Sequence, residues 1–456
     1  MTKTHWLIDR CADYATKEAL VFNNQAHDYQ SLQQHALTAL AYLRQAELPP
    51  SSVISVEGDF TPYTCAVMLA LISEQHLIVP IGAVPDGKRA QYLSVAQVTH
   101  RIQCQGQHYA LSPITPAAQD SRHPHYQTLQ SRQHAGLILF SSGTTGTPKA
   151  SVLDFHTLID KHQALRSPKR TLAFLALDHI GGINTLLHTL SQGGTLISPL
   201  TRTPESVFAA IAKWRVEILP TTPTFLNMAL ISGVLAQADT SSLKLISYGT
   251  EPMPASVLTH LNTLLPSVTL KQTYGLSEVG ILPTQSKNNQ ELWMKLGSQG
   301  FEHKIINHIL WIKSEFAMLG YLNAAAPFDA DGFFNTEDLV AVDGDYVKIL
   351  GRTSEVINVG GEKVYPAEVE NVILQADNVA DVTVTGEPNP ITGMGIKALI
   401  LLKNPEDFDA FRTRLFQHCA LHLEPFKIPM IYEFSDQAHY SSRFKKSRAA
   451  LSRSHE

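Results

Sequence analysis

The strongest constraint on the fold is a repeated unit: an amphipathic helical stripe, a turn, then a short β-branched run. From Leu32 to Leu43 apolar residues recur at helical spacing, Pro49-Pro50-Ser51-Ser52 break the chain, and Val53-Ile54-Ser55-Val56 follows as a buried strand. Val207, Phe208, Ile211 and Trp214 form a second stripe. It leads to the strand Val216 to Leu219 and the break Pro220-Thr221-Thr222-Pro223. Alternation of this kind predicts an α/β fold with a large, multi-layer N-terminal body and mostly parallel sheets. The polar stretch from Ser112 to His134 reads as a loop.

At 456 residues the chain exceeds the length at which single cores usually split, so a second, smaller domain is expected. The pattern changes past Gly351-Arg352. Pro366 suits a first helical turn, and Val369, Val372 and Ile373 form one apolar face. Val382 and Val384 alternate with threonines, Ile396 to Leu402 is a strand, and Phe408, Phe411, Leu415 and Cys419 mark another helix. These elements predict a compact α+β domain over 352–456, following a body over 1–351.

A net charge of -5 argues against nucleic acid as the principal partner, because neutralising many phosphates needs a basic face. Cys11, Cys65, Cys104 and Cys419 lack C-x-x-C spacing, which fits reduced thiols and a cytoplasmic address. Neither an export signal nor a membrane span is expected: the most apolar stretch, near Val67 to Val84, is interrupted by Glu74, Gln75 and His76. His418 and His422 have i, i+4 spacing, but the glutamate of H-E-x-x-H and a third ligand are missing.

Chemistry concentrates in short segments. After the apolar run Leu137 to Phe140 comes Ser141-Ser142-Gly143-Thr144-Thr145-Gly146-Thr147-Pro148-Lys149. Glycines let backbone N–H groups face an anion, hydroxyls add donors and the lysine adds a mobile charge, so the segment reads as a polyphosphate cradle for ATP. Its spacing is not that of G-x-x-x-x-G-K-[ST], which disfavours kinases and GTPases of that class. Tyr274-Gly275-Leu276-Ser277-Glu278 follows a strand near Val268 to Leu270 and presents a hydroxyl and a carboxylate suited to phosphate and magnesium. Farther on stand Asp331 to Asp338, Gly351-Arg352, and Val359-Gly360-Gly361-Glu362-Lys363-Val364-Tyr365-Pro366.

Together and in this order, from about Tyr29 to Leu451, these segments resemble the adenylate-forming superfamily of acyl-CoA synthetases, adenylation domains and luciferases. The resemblance implies cofactor-binding roles for Ser141, Ser142, Gly143, Thr144, Thr145 and Lys149 around the ATP phosphates, with Ser277 at the α-phosphate. It implies Glu278 as the Mg²⁺ ligand, Tyr274 beside the adenine, and Gly249, Thr250 and Glu251 lining that base. Asp338 would accept the ribose hydroxyls with Arg352 assisting, since an ionised carboxylate is acceptor-only and has two oxygens. His179 would close the carboxylate pocket, Gly360 and Gly361 would line a thiol tunnel, and Lys445 would be the catalytic lysine. Three positions depart from the family's usual pattern: Phe444 stands where a glycine precedes that lysine, which leaves Lys446 also in view, Glu337 stands where a glycine precedes the ribose-binding aspartate, and Ser354 sits at the hinge in place of aspartate or lysine.

The implied activity is AMP-forming acid–thiol ligation with ATP, Mg²⁺ and coenzyme A. The rival reading is a stand-alone adenylation enzyme that loads the phosphopantetheine of an acyl carrier protein. A nucleotide-binding relative without turnover is a further alternative. Small and apolar residues among His179 to Asn184, Pro223 to Asn227 and Tyr248 to Thr250 suggest an acid with an uncharged aromatic or medium aliphatic body.

Overall fold

The computed structural model describes residues 4–114, 121–141, 148–436, 440, 444 and 446. Among them, two seven-stranded sheets form the α/β body. The first runs, in spatial order, Thr269–Gln272, Leu245–Tyr248, Ile218–Thr221, Arg170–Leu172, Thr195–Ile197, Glu18–Phe22 and Gln25–Asp28, all parallel except the last pair. The second centres on the parallel strands Gly136–Ser141, Leu77–Ile81, Val53–Glu57 and His100–Gln105. Antiparallel strands extend it at both ends, with Lys149–Asp154 and then Gly320–Tyr321 beside Gly136–Ser141. A third, six-stranded antiparallel sheet includes Phe334–Asp343 paired with Tyr346–Arg352.

The apolar stretch near Val67 belongs to the helix Pro62–Ser73, with ten of its residues buried. Thr61 caps it by accepting from the Thr64 N–H at 2.9 Å, and Pro62 opens its first turn. Gln75, in the left-handed region at φ 58°, turns the chain into the strand Leu77–Ile81. No described helix is long and apolar enough to cross a membrane.

The loop expected over Ser112 to His134 is corrected: it contains the helix Pro124–Arg132, started by His123 and Pro124 and stopped by Gln133 at φ 56°. Only Tyr126 and Leu129 are buried on that helix, so its apolar periodicity is too sparse to read.

A separate core runs from Ile357 to Tyr432. There the strands Val379–Asn389 and Gly393–Leu402 pair antiparallel, and the helices Pro366–Ile373 and Phe408–His422 cover the sheet with Val369, Ile373, Phe411, Leu415 and Cys419.

Candidate active site

The phosphate-loop candidate joins two neighbouring antiparallel strands, so Ser141 and Lys149 stand opposite each other at the sheet's end. Ser142, Gly143, Thr144 and Thr145 lie outside the described residues. Asn323 fixes the strand entry, donating to the Pro148 carbonyl at 2.8 Å and accepting from the Ala150 N–H at 3.1 Å. The Lys149 ammonium sits 5.5 Å from the centre of the Tyr321 ring. That tyrosine donates its hydroxyl to Glu278 Oε1 at 2.8 Å. Burial first, and the Glu278 charge second, raise the Tyr321 pKa, so the phenol stays protonated as the donor. Lys149 and Glu278, more than a hundred positions apart in sequence, thus share one aromatic partner.

Asp338 and Arg352 are cross-strand partners in the third sheet. Arg352 Nε donates to Asp338 Oδ1 at 3.1 Å and the Tyr274 hydroxyl donates to Oδ2 at 2.5 Å. Burial raises the Asp338 pKa against the opposing pull of Arg352 and Tyr274. Burial also works against the Arg352 charge, yet Asp338 and Glu278 outweigh it and hold that pKa up. Two accepted bonds leave a carboxylate about half of its roughly four acceptor positions, enough for a vicinal diol. The Tyr274 ring is buried in the main core and its hydroxyl is committed to Asp338.

Ser277 lies, half-buried, in the turn of the hairpin between Tyr274–Leu276 and Gly280–Leu282, next to Glu278, which is 8% exposed. Gly249 faces the Thr273 carbonyl so closely that a Cβ would sit 2.6 Å from its oxygen. Thr250 follows at φ 76°. The Glu251 side chain bridges two backbones: its Oε1 accepts from the Thr224 N–H at 2.8 Å, and its Oε2 from the Lys446 N–H at 3.0 Å. His179 caps the helix Ile180–Ser191, its Nδ1 accepting from the Gly181 N–H at 3.0 Å, and this fixes the ring at the helix entrance.

In the C-terminal sheet, Gly360 and Gly361 form the two-residue turn between Ile357–Val359 and Glu362–Val364, at φ 62° and 95°. A Cβ on Gly361 would meet nothing within 4 Å, so the turn's left-handed backbone, rather than crowding, demands glycine there. Lys445 lies outside the described residues, but both its neighbours are described. Phe444, at φ 53°, packs its ring 5.1 Å from Phe174 and 5.9 Å from Phe225. Lys446 Nζ donates to the Val382 carbonyl at 2.6 Å and lies 3.3 Å from Asp381 and 3.6 Å from Glu370. Glu337 also has positive φ, 60°, so both non-glycine departures keep a backbone that glycine adopts easily.

Comparison with known proteins decides the family. The model described as AMP-binding enzyme matches residues 7–307, and that of the AMP-binding enzyme C-terminal domain matches residues 368–443. The chain belongs to the AMP-binding enzymes. Among curated relatives of this AMP-binding enzyme, the indoleacetate–CoA ligase of Aromatoleum aromaticum is 28% identical, over 66% of this chain and 63% of its own length. The 2-succinylbenzoate–CoA ligase of Bacillus licheniformis is 30% identical over 66% of each protein. The matched region thus spans just under two thirds of these relatives. The anthranilate CoA ligase AuaEII, solved with anthranoyl-AMP, shares the fold with a TM-score of 0.81 and 19% identity, over 98% of this chain and 96% of that one.

Tyr321 and Asn323 had no signal in the sequence beyond being polar groups near a strand; their partners lie 43 and 173 to 175 positions away. His418 Nε2 lies 2.9 Å from the Val372 carbonyl, to which it donates when that nitrogen carries the proton. His134, Asp154 and His156 cluster closely, but His156 Nδ1 accepts from the Ala135 N–H, which leaves its neutral ring with Nε2 protonated. Asp154 caps the helix Phe155–Asp160 and pairs with Arg132. That cluster is a structural ion-pair network.

Proposed function

We propose that this chain is an ATP-dependent acid–thiol ligase of the acyl- or aryl-CoA synthetase kind. A carboxylate attacks the α-phosphorus of ATP, pyrophosphate leaves, and a thiol then takes the acyl group from the adenylate with release of AMP. The observation that carries the reading is the convergence of Lys149 and Glu278 on Tyr321, with Asp338 held by Arg352 and by Tyr274 of the hairpin that carries Glu278.

In this reading Lys149 and the loop ahead of it hold the β- and γ-phosphates, Ser277 the α-phosphate, and Asp338 the ribose hydroxyls. Glu278 suits Mg²⁺, which binds through one or two carboxylates plus substrate phosphates and would neutralise the polyphosphate charge. His179 borders the carboxylate end of the acid pocket. Lys445 offsets the repulsion between carboxylate and phosphate. Gly249 lets the segment that would line the base pack against the Thr273 backbone, while Glu251 ties the tail to the body. Arg352 to Ser354 form the hinge between a body over 1–351 and a lid over 352–456, so that one lid orientation serves adenylation and another thiol attack.

The test is acid-dependent exchange of labelled pyrophosphate into ATP over a panel of carboxylic acids, followed by AMP formation with either free coenzyme A or a holo carrier protein as acceptor. Absence of exchange with every acid would refute the ligase reading. Turnover with holo carrier protein alone would assign the second thiol.

A further inference from the structure

Both carboxylate oxygens of Glu251 meet main-chain N–H groups, and the two belong to distant parts of the chain. Oε1 takes the Thr224 N–H at 2.8 Å, in the first turn of the helix Pro223–Ile231, and Oε2 takes the Lys446 N–H at 3.0 Å. Thr222 accepts the next N–H of that helix, from Phe225 at 3.2 Å. The helix start is thus satisfied by one hydroxyl and one carboxylate, and an acidic group suits the positive end of a helix dipole. The Lys446 N–H lies in the peptide group that joins residues 445 and 446. One side chain therefore spans from a segment read as a wall of the acid pocket to the peptide that follows the lysine assigned to adenylation.

The neighbouring contacts make this a face and not a single bond. Asn227, three residues past Thr224, donates from Nδ2 to the Ala380 carbonyl at 3.4 Å, and the Ala255 N–H donates to Asn371 Oδ1 at 2.9 Å. Phe225 meets the Phe444 ring at 5.9 Å. Ala380 adjoins Asp381 and Asn371 adjoins Glu370, the two carboxylates beside the Lys446 ammonium. Segments 224–227 and 251–255 thus face segments 370–371, 380–382 and 444–446. Immediately before Glu251, Thr250 holds φ 76°. A β-branched residue adopts that conformation only where its surroundings enforce it, and such strain gathers at functional places.

Resting on the ligase reading and its assignment of Lys445, we propose that Glu251 is a positioning residue for adenylation, holding the peptide group after Lys445 against the acid-pocket helix. Placement of the lysine is then tied to the element that walls the acid, and Glu251 itself touches neither nucleotide nor acid. Thiol attack does not use the lysine, so the second half-reaction does not need this bond. The position calls for a carboxylate. Both partners are donors, and an ionised carboxylate offers two acceptor oxygens and no donor. Glutamine has nearly the same shape but one acceptor oxygen, so it can keep Thr224 or Lys446 and not both.

Glu251→Gln is compared with the unmodified full chain in each half-reaction, using an acid that supports pyrophosphate exchange, its synthetic adenylate, and the thiol that the unmodified protein accepts. The kcat of exchange should fall by about tenfold or more, the scale of one charge-assisted hydrogen bond, with KM for ATP and acid unchanged. Thioester formation from the supplied adenylate should keep its rate, and melting should stay native. Added to Lys445→Ala, the substitution should cost nothing further, because a positioning residue acts through the group it positions. Similar losses in both half-reactions, or a further loss beyond Lys445→Ala, would make the role structural. A raised KM for ATP with unchanged kcat would make Glu251 a wall of the base site. Any of these, or an unaltered kcat of exchange, overturns the proposal. A readout independent of turnover and of any variant is amide hydrogen exchange in the unmodified protein with ATP and acid bound. The Lys446 amide should be protected there, and ready exchange at it overturns the proposal as well. If no acid supports pyrophosphate exchange in the unmodified protein, the ligase reading falls and takes the positioning role with it.

Discussion

Two adjacent lysines near the end of the chain are predicted to fail in opposite ways. Lys446 is held by the C-terminal sheet and its helix: its Nζ lies 2.6 Å from the Val382 carbonyl, 3.3 Å from Asp381 and 3.6 Å from Glu370, the lysine and both carboxylate side chains being almost fully buried. Glu370 also accepts from the Val384 N–H at 3.0 Å, so it stays in place when the lysine is gone. Lys446→Met keeps the aliphatic stem and removes only the charge. Breaking a buried pair from one side costs about 3 to 5 kcal/mol, because the partner charge is left uncompensated. For a domain of about a hundred residues that lowers the melting temperature by roughly 10 °C or more.

Lys445→Ala should do the reverse, melting near the unmodified protein but losing roughly 10² to 10³ in the rate of acid-dependent pyrophosphate exchange, the scale for removing one transition-state donor. Differential scanning calorimetry and the exchange assay, run on both variants, separate the two. A Lys446→Met protein that melts normally and has lost exchange, beside a Lys445→Ala protein that retains it, would refute the assignment.

Three further outcomes are expected. Tyr321→Phe keeps the ring beside Lys149 but removes the donor to Glu278, a loss of about 1.5 to 3 kcal/mol for a bond to a charged group, which should appear as weaker Mg·ATP binding by calorimetry. Gly249→Ala places a methyl 2.6 Å from the Thr273 carbonyl oxygen, so the strand ends must part; ATP binding should fall sharply, and unchanged binding would contradict the cradle assigned to this glycine. His76, 5% exposed, has its pKa lowered from 6.5 to about 4 by burial, with His100 adding to it. Its folded form resists protonation while the unfolded chain takes a proton, so stability is lost as pH falls from about 6.5 towards 4, by up to about 3 kcal/mol from this group. Denaturant titrations across that range should show the slope, and His76→Gln should flatten it by that share.

The chemistry-bearing segments were legible because glycine, hydroxyl and charge cluster at strand ends whatever surrounds them. Asp338 and Arg352 were both singled out from sequence, yet their pairing across a hairpin was not, since it depends on register. Tyr321 was invisible because it is an ordinary aromatic until Ser151 pairs its strand against the Lys149–Asp154 strand. Glu251 was singled out for the segment lining the base, but that its oxygens tie the Thr224 and Lys446 backbones together was not legible, because the partners lie 27 and 195 positions away. Gly360 and Gly361 were singled out only for a thiol tunnel; that they form the two-residue turn of a hairpin, which explains both positive φ values, depends on the pairing of the flanking strands. Local grammar thus revealed which residues matter, and long-range pairing decided what each one touches.

The same distinction explains why Phe444 and Glu337 are tolerated. A non-glycine residue in the left-handed region costs about 1 to 2 kcal/mol, and it persists only where neighbours over-determine the backbone. At Glu337 the constraint is local: its N–H donates to the Asn335 side chain at 3.0 Å, and the adjoining Asp338 N–H donates to Thr336 at 3.1 Å. At Phe444 it is long-range, because the ring packs on Phe174 and Phe225 of the body while the Lys446 N–H is held by Glu251 and its ammonium by the lid. A glycine at 444 would relieve the backbone but surrender the aromatic contact, leaving the Lys446 N–H bond to Glu251 as the remaining tie here among the described residues. The departure from glycine therefore exchanges local backbone ease for a second anchor, so that both described neighbours of Lys445 are held, Phe444 by an aromatic pair and Lys446 by Glu251 and the Val382 carbonyl.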